Sequence, residues 1–275
     1  MTTVVQHAGV LGSPIAHSLS PILHSAGYAA CGLRDWRYGR REVTAGELAF
    51  VVGTLDDSWR GLSLTMPLKE VAFEVATTVS EVARSAGAIN TLVRRADGGW
   101  DATNTDVTGL VASIAHVEHD GRARVLGSGA TARSAVLALA EVGVERLTIA
   151  ARNPATARDA VAIAEAVGMS ASAIPLESWI EDPVRLVIST LPGTASVGVG
   201  GLLSEAGRDF VGMTVLDVVY ADWPTPLARD VRRAGGEVIS GLDMLVHQAA
   251  AQFELFTGVA APVDAMMAAG RAALC

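Results

Sequence analysis

Positive charge in this sequence is carried almost wholly by arginine: of 21 basic residues, 20 are Arg and only Lys69 is lysine. The distinction is chemical, because a guanidinium keeps its proton in a protein whereas a primary ammonium can hand one over. Lys69 is therefore a candidate proton donor, although counting alone weighs that equally against a leftover surface lysine. Four groups of small polar residues fall at expected ends of elements: Ser18 with Ser20, Thr65 with Lys69, Asn90 with Thr91, and Asn104 with Asp106. Loop ends are where α/β folds place ligands. Taken singly, each has an ordinary explanation: Ser20 as a helix cap, Asn90 and Asn104 as turn formers, Asp106 as the cap of its helix.

A second pattern is Gly127-Ser128-Gly129-Ala130-Thr131-Ala132, a G-x-G-x-x-A turn between an expected strand and helix. Glycines there permit the tight turn and let a pyrophosphate approach the N–H groups of the helix start. At the end of the next strand, an acidic residue would accept from the ribose hydroxyls of NAD. The sequence instead reads Ala151-Arg152-Asn153-Pro154, with Arg158 following. Arg152 can present its planar fork to a 2′-phosphate, and Arg158 can add charge from the helix that begins near Pro154. The expected cofactor is NADP(H).

These residues must be positioned by an alternation of strands and helices. Strands are predicted over 7–12, 36–43 and 59–65, with helices from Ser20-Pro21 to about Gly32, from the Thr44/Glu47 capping box to Leu55, and from Pro67. Thr78 with Glu81 offers a second capping box, and 88–94 with 99–103 read as strand, Asp-Gly-Gly turn, strand. A helix should then run from Asp106 to about His116. Further strands are predicted over 123–126, 147–151, 184–189, 214–219 and 237–240, most of them separated by helices, which makes a doubly wound parallel sheet. Past Gly241 the chain turns helical, with Met244, Leu245, Ala249 and Phe253 at helical spacing.

Composition bounds the class. A chain of 275 residues with 50% hydrophobic and 18% charged residues is globular and long enough for two domains. A net charge of −8 argues against a nucleic-acid footprint. The N-terminus shows no basic segment followed by an apolar run, and no stretch reaches eighteen apolar residues, so neither export nor a membrane span is expected and the location read is cytoplasmic. Cys31 and Cys275 lack the spacing of a metal cage or a disulfide framework, and no metal is expected.

Together the motifs carry a resemblance. Gly12-Ser13-Pro14-Ile15-Ala16-His17-Ser18-Leu19-Ser20-Pro21, Leu64-Thr65-Met66-Pro67-Leu68-Lys69, Gly87-Ala88-Ile89-Asn90-Thr91, Asn104-Thr105-Asp106, the glycine turn, Asp217-Val218-Val219-Tyr220 with Thr225-Pro226-Leu227, and Gly241 through Ala249 stand in the order of the shikimate dehydrogenases, which the whole chain resembles. The resemblance implies a βα substrate-binding domain formed by residues 1–105 and 241–275, and a Rossmann-like NADP-binding domain over 106–240. It implies reversible, NADP-dependent reduction of 3-dehydroshikimate to shikimate, a step toward aromatic amino acids. It maps substrate contacts onto Ser18, Ser20, Thr65, Lys69, Asn90, Asp106, Tyr220 and Gln248, and cofactor contacts onto Gly127, Ser128, Gly129, Ala130, Arg152, Asn153, Arg158, Gly241 and Met244. Self-association into a homodimer is left open.

In such a reaction a cation beside the ring oxygen stabilises the developing alkoxide, a role that falls to Lys69 with Asp106 as its neighbour or as acceptor of a substrate proton. The chain departs from the family pattern in several places. Ala151 and Asn153 replace the Asn and Thr of an Asn-Arg-Thr motif, Thr156 replaces a frequent basic residue, and Ser63-Leu64-Thr65 stands for Asn-Val-Thr. His17 and His24 are read as structural, and Trp100 and Trp223 as packing residues. The rival readings are a quinate or aminoshikimate dehydrogenase of the same fold, and a non-catalytic dinucleotide-binding regulator. Ser20 favours shikimate, and the presence of both Lys69 and Asp106 speaks against the regulator.

Overall fold

Parallel strands covered on both faces must be apolar nearly throughout, and the strand Gln6–Gly12 (β1) meets that requirement from Ala8 onward. A computed structural model describes residues 4–207 and 209–274, so Cys275 lies outside the described residues. The chain divides into two compact units, Met1–Gly109 with Leu245–Cys275, and Leu110–Met244.

In the first unit β1 is followed by Ser20–Ala30 (α1), Trp36–Glu42 (β2), Leu48–Gly53 (α2), Trp59–Leu64 (β3), Leu68–Val71 (α3), Thr78–Val79 (β4), Glu81–Ala86 (α4), Thr91–Arg94 (β5), Trp100–Thr103 (β6) and Thr105–Ile114 (α5), the last running past Gly109. The sheet order is β2-β1-β3-β5-β6-β4. β1 pairs in parallel with β2 and β3, while β5 runs antiparallel to both β3 and β6. One reversed strand has a large consequence. The C-terminal ends of β1, β3 and β6 and the N-terminal end of β5 all open on the same edge, and the four polar clusters sit on that edge. Alternation along the strands sorts the core into two layers. Leu11, Leu62, Leu64, Leu92 and Trp100 fill one, and Ala8, Val10, Tyr28, Tyr38, Phe253 and Phe256 the other.

The second unit continues with Arg122–Leu126 (β7), Ala130–Glu141 (α6), Arg146–Ala151 (β8), Arg158–Ala166 (α7), Ser170–Pro175 (β9), Leu186–Ser189 (β10), Val197–Glu205 (α8), Thr214–Asp217 (β11), Pro226–Arg233 (α9) and Glu237–Ser240 (β12). Gly241–Thr257 (α10) and Val263–Leu274 (α11) follow. All pairings in this sheet are parallel, in the order β12-β11-β10-β7-β8-β9. This is the doubly wound arrangement in which the chain reverses direction between its first and fourth strands, here β7 and β10. Among the described residues no helix is long and apolar enough to cross a membrane.

Several local expectations are corrected. Ser20 is the first residue of α1 and makes no capping bond, the cap position being Leu19. Thr78 lies in β4 and donates to Asp101, so the cap of α4 is Ser80, whose hydroxyl accepts from the Ala83 N–H. The Thr44/Glu47 capping box is present as read. Strands β4 and β9 were not anticipated, because β4 has only two residues and β9 alternates small side chains without large apolar ones.

His24 on α1 is wholly buried and stacked on Tyr38 with ring centroids 4.0 Å apart, beside Phe253 and Phe256. Neither ring nitrogen makes a hydrogen bond of normal geometry. Burial lowers its pKa to about 3, and the Gln252 side chain opposes this only weakly. The unfolded chain protonates this histidine below about pH 6.5, and the folded chain does not. Stability should therefore fall as pH drops below that point, by about 1.4 kcal/mol per unit. Urea unfolding at pH 7.5 and pH 5 should show wild type losing about 2 kcal/mol more than His24→Phe; equal losses would show that the ring is not buried neutral.

Candidate active site

The site edge of the first unit is organised around the Asn90 amide, which lies just before β5 and is 1% exposed. Its oxygen accepts from the Thr91 hydroxyl (2.7 Å) and the Thr105 N–H (2.8 Å), which leaves its Nδ2 pointing toward α5. There it lies 2.7 Å from Asp106 Oδ1, 3.0 Å from Thr105 Oγ1 and 3.2 Å from Gln248 Oε1. Two protons cannot serve three acceptors fully, and the short bond to the carboxylate is the strongest of the set. Asn104 supplies the cap that Asp106 might have been expected to provide, since its Oδ1 accepts from the Asp106 N–H (3.0 Å) while its own amide donates to the Ala88 carbonyl (2.9 Å). The Asp106 carboxylate is thereby released from backbone duty.

Its second oxygen takes the Lys69 ammonium at 2.5 Å. Asp106 is buried, and the Lys69 side chain retains 14% of its exposure. One end of the pair is thus fixed in the protein while the other stays reachable, which is what a group that passes a proton to a ligand requires. Thr65 precedes the Lys69 helix; its backbone bonds Leu11 and Leu68, and its half-buried hydroxyl has no partner among the described residues. Ser18 and Ser20 are buried and linked, with Ser18 Oγ donating to Ser20 Oγ (3.3 Å). Their loop is tied to β2 by Ser13 donating to Glu42 (2.8 Å) and Arg40 donating to the Ala16 carbonyl. Gln248 on α10 donates to Leu245 O and receives Asn90, while exposed His17 makes no contact with the cluster. Lys69, Asn90, Asp106 and Gln248 are thus joined directly, with Ser18, Ser20 and Thr65 on the loops of the same edge.

Sequence reasoning missed a layer behind them. Gln252, one turn after Gln248, accepts from Ser63 Oγ (2.7 Å) and donates to Thr91 Oγ1 (2.9 Å) and the Asn90 carbonyl (3.2 Å). Tyr38 in turn donates to Ser63 (2.6 Å). Burial holds the Tyr38 phenol above its ordinary range, so it remains a donor. The available signal was the four-residue spacing of two glutamines on an otherwise apolar helix face.

The second unit holds the glycine turn at the reversal point of its sheet. Gly127 ends β7 with φ +111°, and a Cβ there would meet Thr190 Oγ1 at 2.4 Å, so glycine is required by both conformation and space. Gly129 caps α6, yet nothing lies within 4 Å of a Cβ built on it. Packing does not demand that glycine, and the open space over the helix start fits a pyrophosphate approaching the N–H groups of a twelve-residue helix. Ser128 bonds Thr156 (2.8 Å), and Asn153 spends its side-chain oxygen on the Ala155 N–H, which leaves its amide nitrogen for a ligand. Arg152 and Arg158 are exposed. Thr225, the cap of α9, donates to buried Asp217 (2.6 Å), pinning the segment that carries half-buried Tyr220. Gly241 has a packing reason, since a Cβ would meet Val218 O at 2.2 Å, and Met244 is buried. No cluster of metal-binding side chains occurs among the described residues.

Comparison with known proteins gives the family. Residues 10–92 match the shikimate dehydrogenase substrate binding domain, and residues 241–269 the shikimate 5′-dehydrogenase C-terminal domain. A protein of Methylobacterium radiotolerans named shikimate dehydrogenase (NADP(+)) is 36% identical over 94% of this chain and 93% of its own. The chain belongs to the shikimate dehydrogenase family. Among solved structures, the shikimate dehydrogenase of Mycobacterium tuberculosis is 44% identical with a TM-score of 0.87, covering 97% of this chain and 99% of its own. That of Thermus thermophilus in complex with NADP(H) and shikimate is 31% identical with a TM-score of 0.80, covering 98% and 100%. The family resemblance and the fold read from the sequence are both borne out.

Removing the central amide should strand a buried carboxylate oxygen, the Thr91 and Thr105 hydroxyls and the Thr105 N–H. Asn90→Leu is expected to cost about 3 kcal/mol or more in urea unfolding, since each stranded buried group costs about 1–3 kcal/mol. A loss below about 1 kcal/mol would mean the neighbours re-pair without it.

Proposed function

We propose that the protein catalyses the reversible, NADP-dependent reduction of 3-dehydroshikimate to shikimate, in the cytoplasm. The observation that carries this reading is the Lys69–Asp106 pair, its carboxylate buried and its ammonium partly exposed, on an edge otherwise lined by neutral hydroxyl and amide groups. A cyclic polyol acid needs such groups around its ring, and relatives named for this activity extend over nearly the whole chain. The unit that carries the edge is assigned to the substrate and the unit that carries the glycine turn to the dinucleotide.

Bound NADPH supplies the hydride for the ring ketone. The chain's own residues do the rest. Lys69 holds a proton at Nζ and delivers it to the ketone oxygen as that oxygen becomes a hydroxyl; in the reverse direction it receives the proton. Asp106 orients the ammonium and Asn90 orients Asp106. Ser18 and Ser20 are assigned to the substrate carboxylate, and Thr65, Asn90, Asp106 and Gln248 to its hydroxyls. For the dinucleotide, Gly127, Ser128, Gly129 and Ala130 are assigned to the pyrophosphate, and Arg152, Asn153 and Arg158 to the 2′-phosphate. Gly241 and Met244 are assigned to the nicotinamide end.

Purified protein given shikimate should reduce NADP⁺ with kcat/KM at least about tenfold above that for NAD⁺, the worth of one charge-assisted contact to the extra phosphate. Equal or inverted efficiencies would refute the role given to Arg152. Lys69→Ala should lower kcat by about 10²- to 10⁴-fold with a much smaller change in KM, because its contact strengthens in the transition state. A change in KM alone would reduce Lys69 to a binding group.

A further inference from the structure

Behind the residues assigned to substrate lies a row of buried polar side chains that the reaction does not touch: Tyr38, Ser63, Gln252 and Thr91. Their bonds have a definite sense. The Tyr38 hydroxyl donates to Ser63, so the single proton of Ser63 is free to go to Gln252 Oε1. With its oxygen engaged there, the Gln252 amide turns its nitrogen to Thr91 Oγ1 and the Asn90 carbonyl. Thr91, having accepted, gives its own proton to Asn90 Oδ1. With the Thr105 N–H donating to the same oxygen, Asn90 shows Nδ2, and not its carbonyl, to Asp106. Were the amide reversed, two oxygens would face each other across 2.7 Å at the carboxylate that holds Lys69.

Packing alone does not explain this row. Ser63 and Gln252 are buried and joined to Tyr38, which belongs to the apolar layer of Val10, Phe253 and Phe256, where apolar side chains of similar size would serve stability equally well. Buried polar side chains cost free energy unless every group is satisfied, and here the donors and acceptors are satisfied in one consistent direction. Ser63 is also a position where the chain departs from the family pattern.

We infer that Ser63 and Gln252 are positioning residues: through Thr91 they reinforce the orientation of the Asn90 amide that the Thr105 N–H also favours, and so keep the Lys69–Asp106 pair aligned for proton transfer. This rests on the reaction proposed above. The test therefore begins with the full-length wild type oxidising shikimate with NADP⁺; its failure would remove that reaction, whereas the comparisons among variants concern this inference alone.

Gln252→Met keeps the volume and removes both polar groups, and Ser63→Ala removes the proton that orients Gln252. For Gln252→Met, kcat should fall about tenfold or more, as small misplacements of reacting groups do, with KM for NADP⁺ unchanged and KM for shikimate within about threefold. Ser63→Ala should show a smaller loss with the same split. The double variant should be no slower than Gln252→Met, because one residue acts through the other. Values of kcat within about twofold of wild type, a loss confined to KM, or multiplying losses in the double variant would each overturn the inference. Thermal melts identify any variant that fails to fold; should Gln252→Met do so, the kcat-against-KM split of Ser63→Ala decides alone.

Discussion

A carboxylate withdrawn from water has to be met on both oxygens, and the first unit is built around meeting that demand at Asp106. Removing one partner of such a buried pair leaves an uncompensated charge, which costs several kcal/mol. The two partners come from distant stretches of sequence: Lys69 follows β3 and Asn90 precedes β5. Asn104 takes over the helix cap so that Asp106 is free for them. Sheet polarity, loop ends and helix capping are thus all subordinate to one ionised group.

The proposed function asks different physics of the two units. In the first, side chains do the work, most of them held by at least one other, and the backbone serves mainly to bring them to one edge. In the second, the backbone is itself the recognising element, and the informative residues are those that keep side chains away. Gly127 is constrained by its dihedral and by Thr190, while Gly129 leaves open space that no protein atom uses. The latter is the stronger indication of a ligand.

Much of this was legible in the sequence because the signals are local. The Thr44/Glu47 capping box, the glycine turn and the apolar strands of the second unit each depend on neighbours a few residues apart, and each appears as read. The uniqueness of Lys69 singled it out as a candidate without choosing between a proton donor and a surface lysine. What was not legible depends on pairing across long separations. Taken singly, Asn90 reads as a turn former and Asp106 as a cap, and only the family resemblance set Asp106 beside Lys69; that Asn90 is the centre of a buried network was not read, and Gln252 carried no signal strong enough to separate it from a polar residue on a helix surface. Thr78 was misread because a short strand claimed it before the helix began. The errors fall where tertiary partners outbid local preference.

The pairing of β3 with β5 places Ser63 directly opposite Thr91, and the Leu64 N–H meets the Asn90 carbonyl at 2.7 Å. Side chains alternate across a strand, so a slip of one residue in this ladder would carry Asn90 to the opposite face and put Ile89 or Thr91 in its place beside the carboxylate. Register, ordinarily a matter of folding fidelity, is here a condition of chemical competence: a handful of main-chain bonds decides whether the carboxylate has anything to lean on.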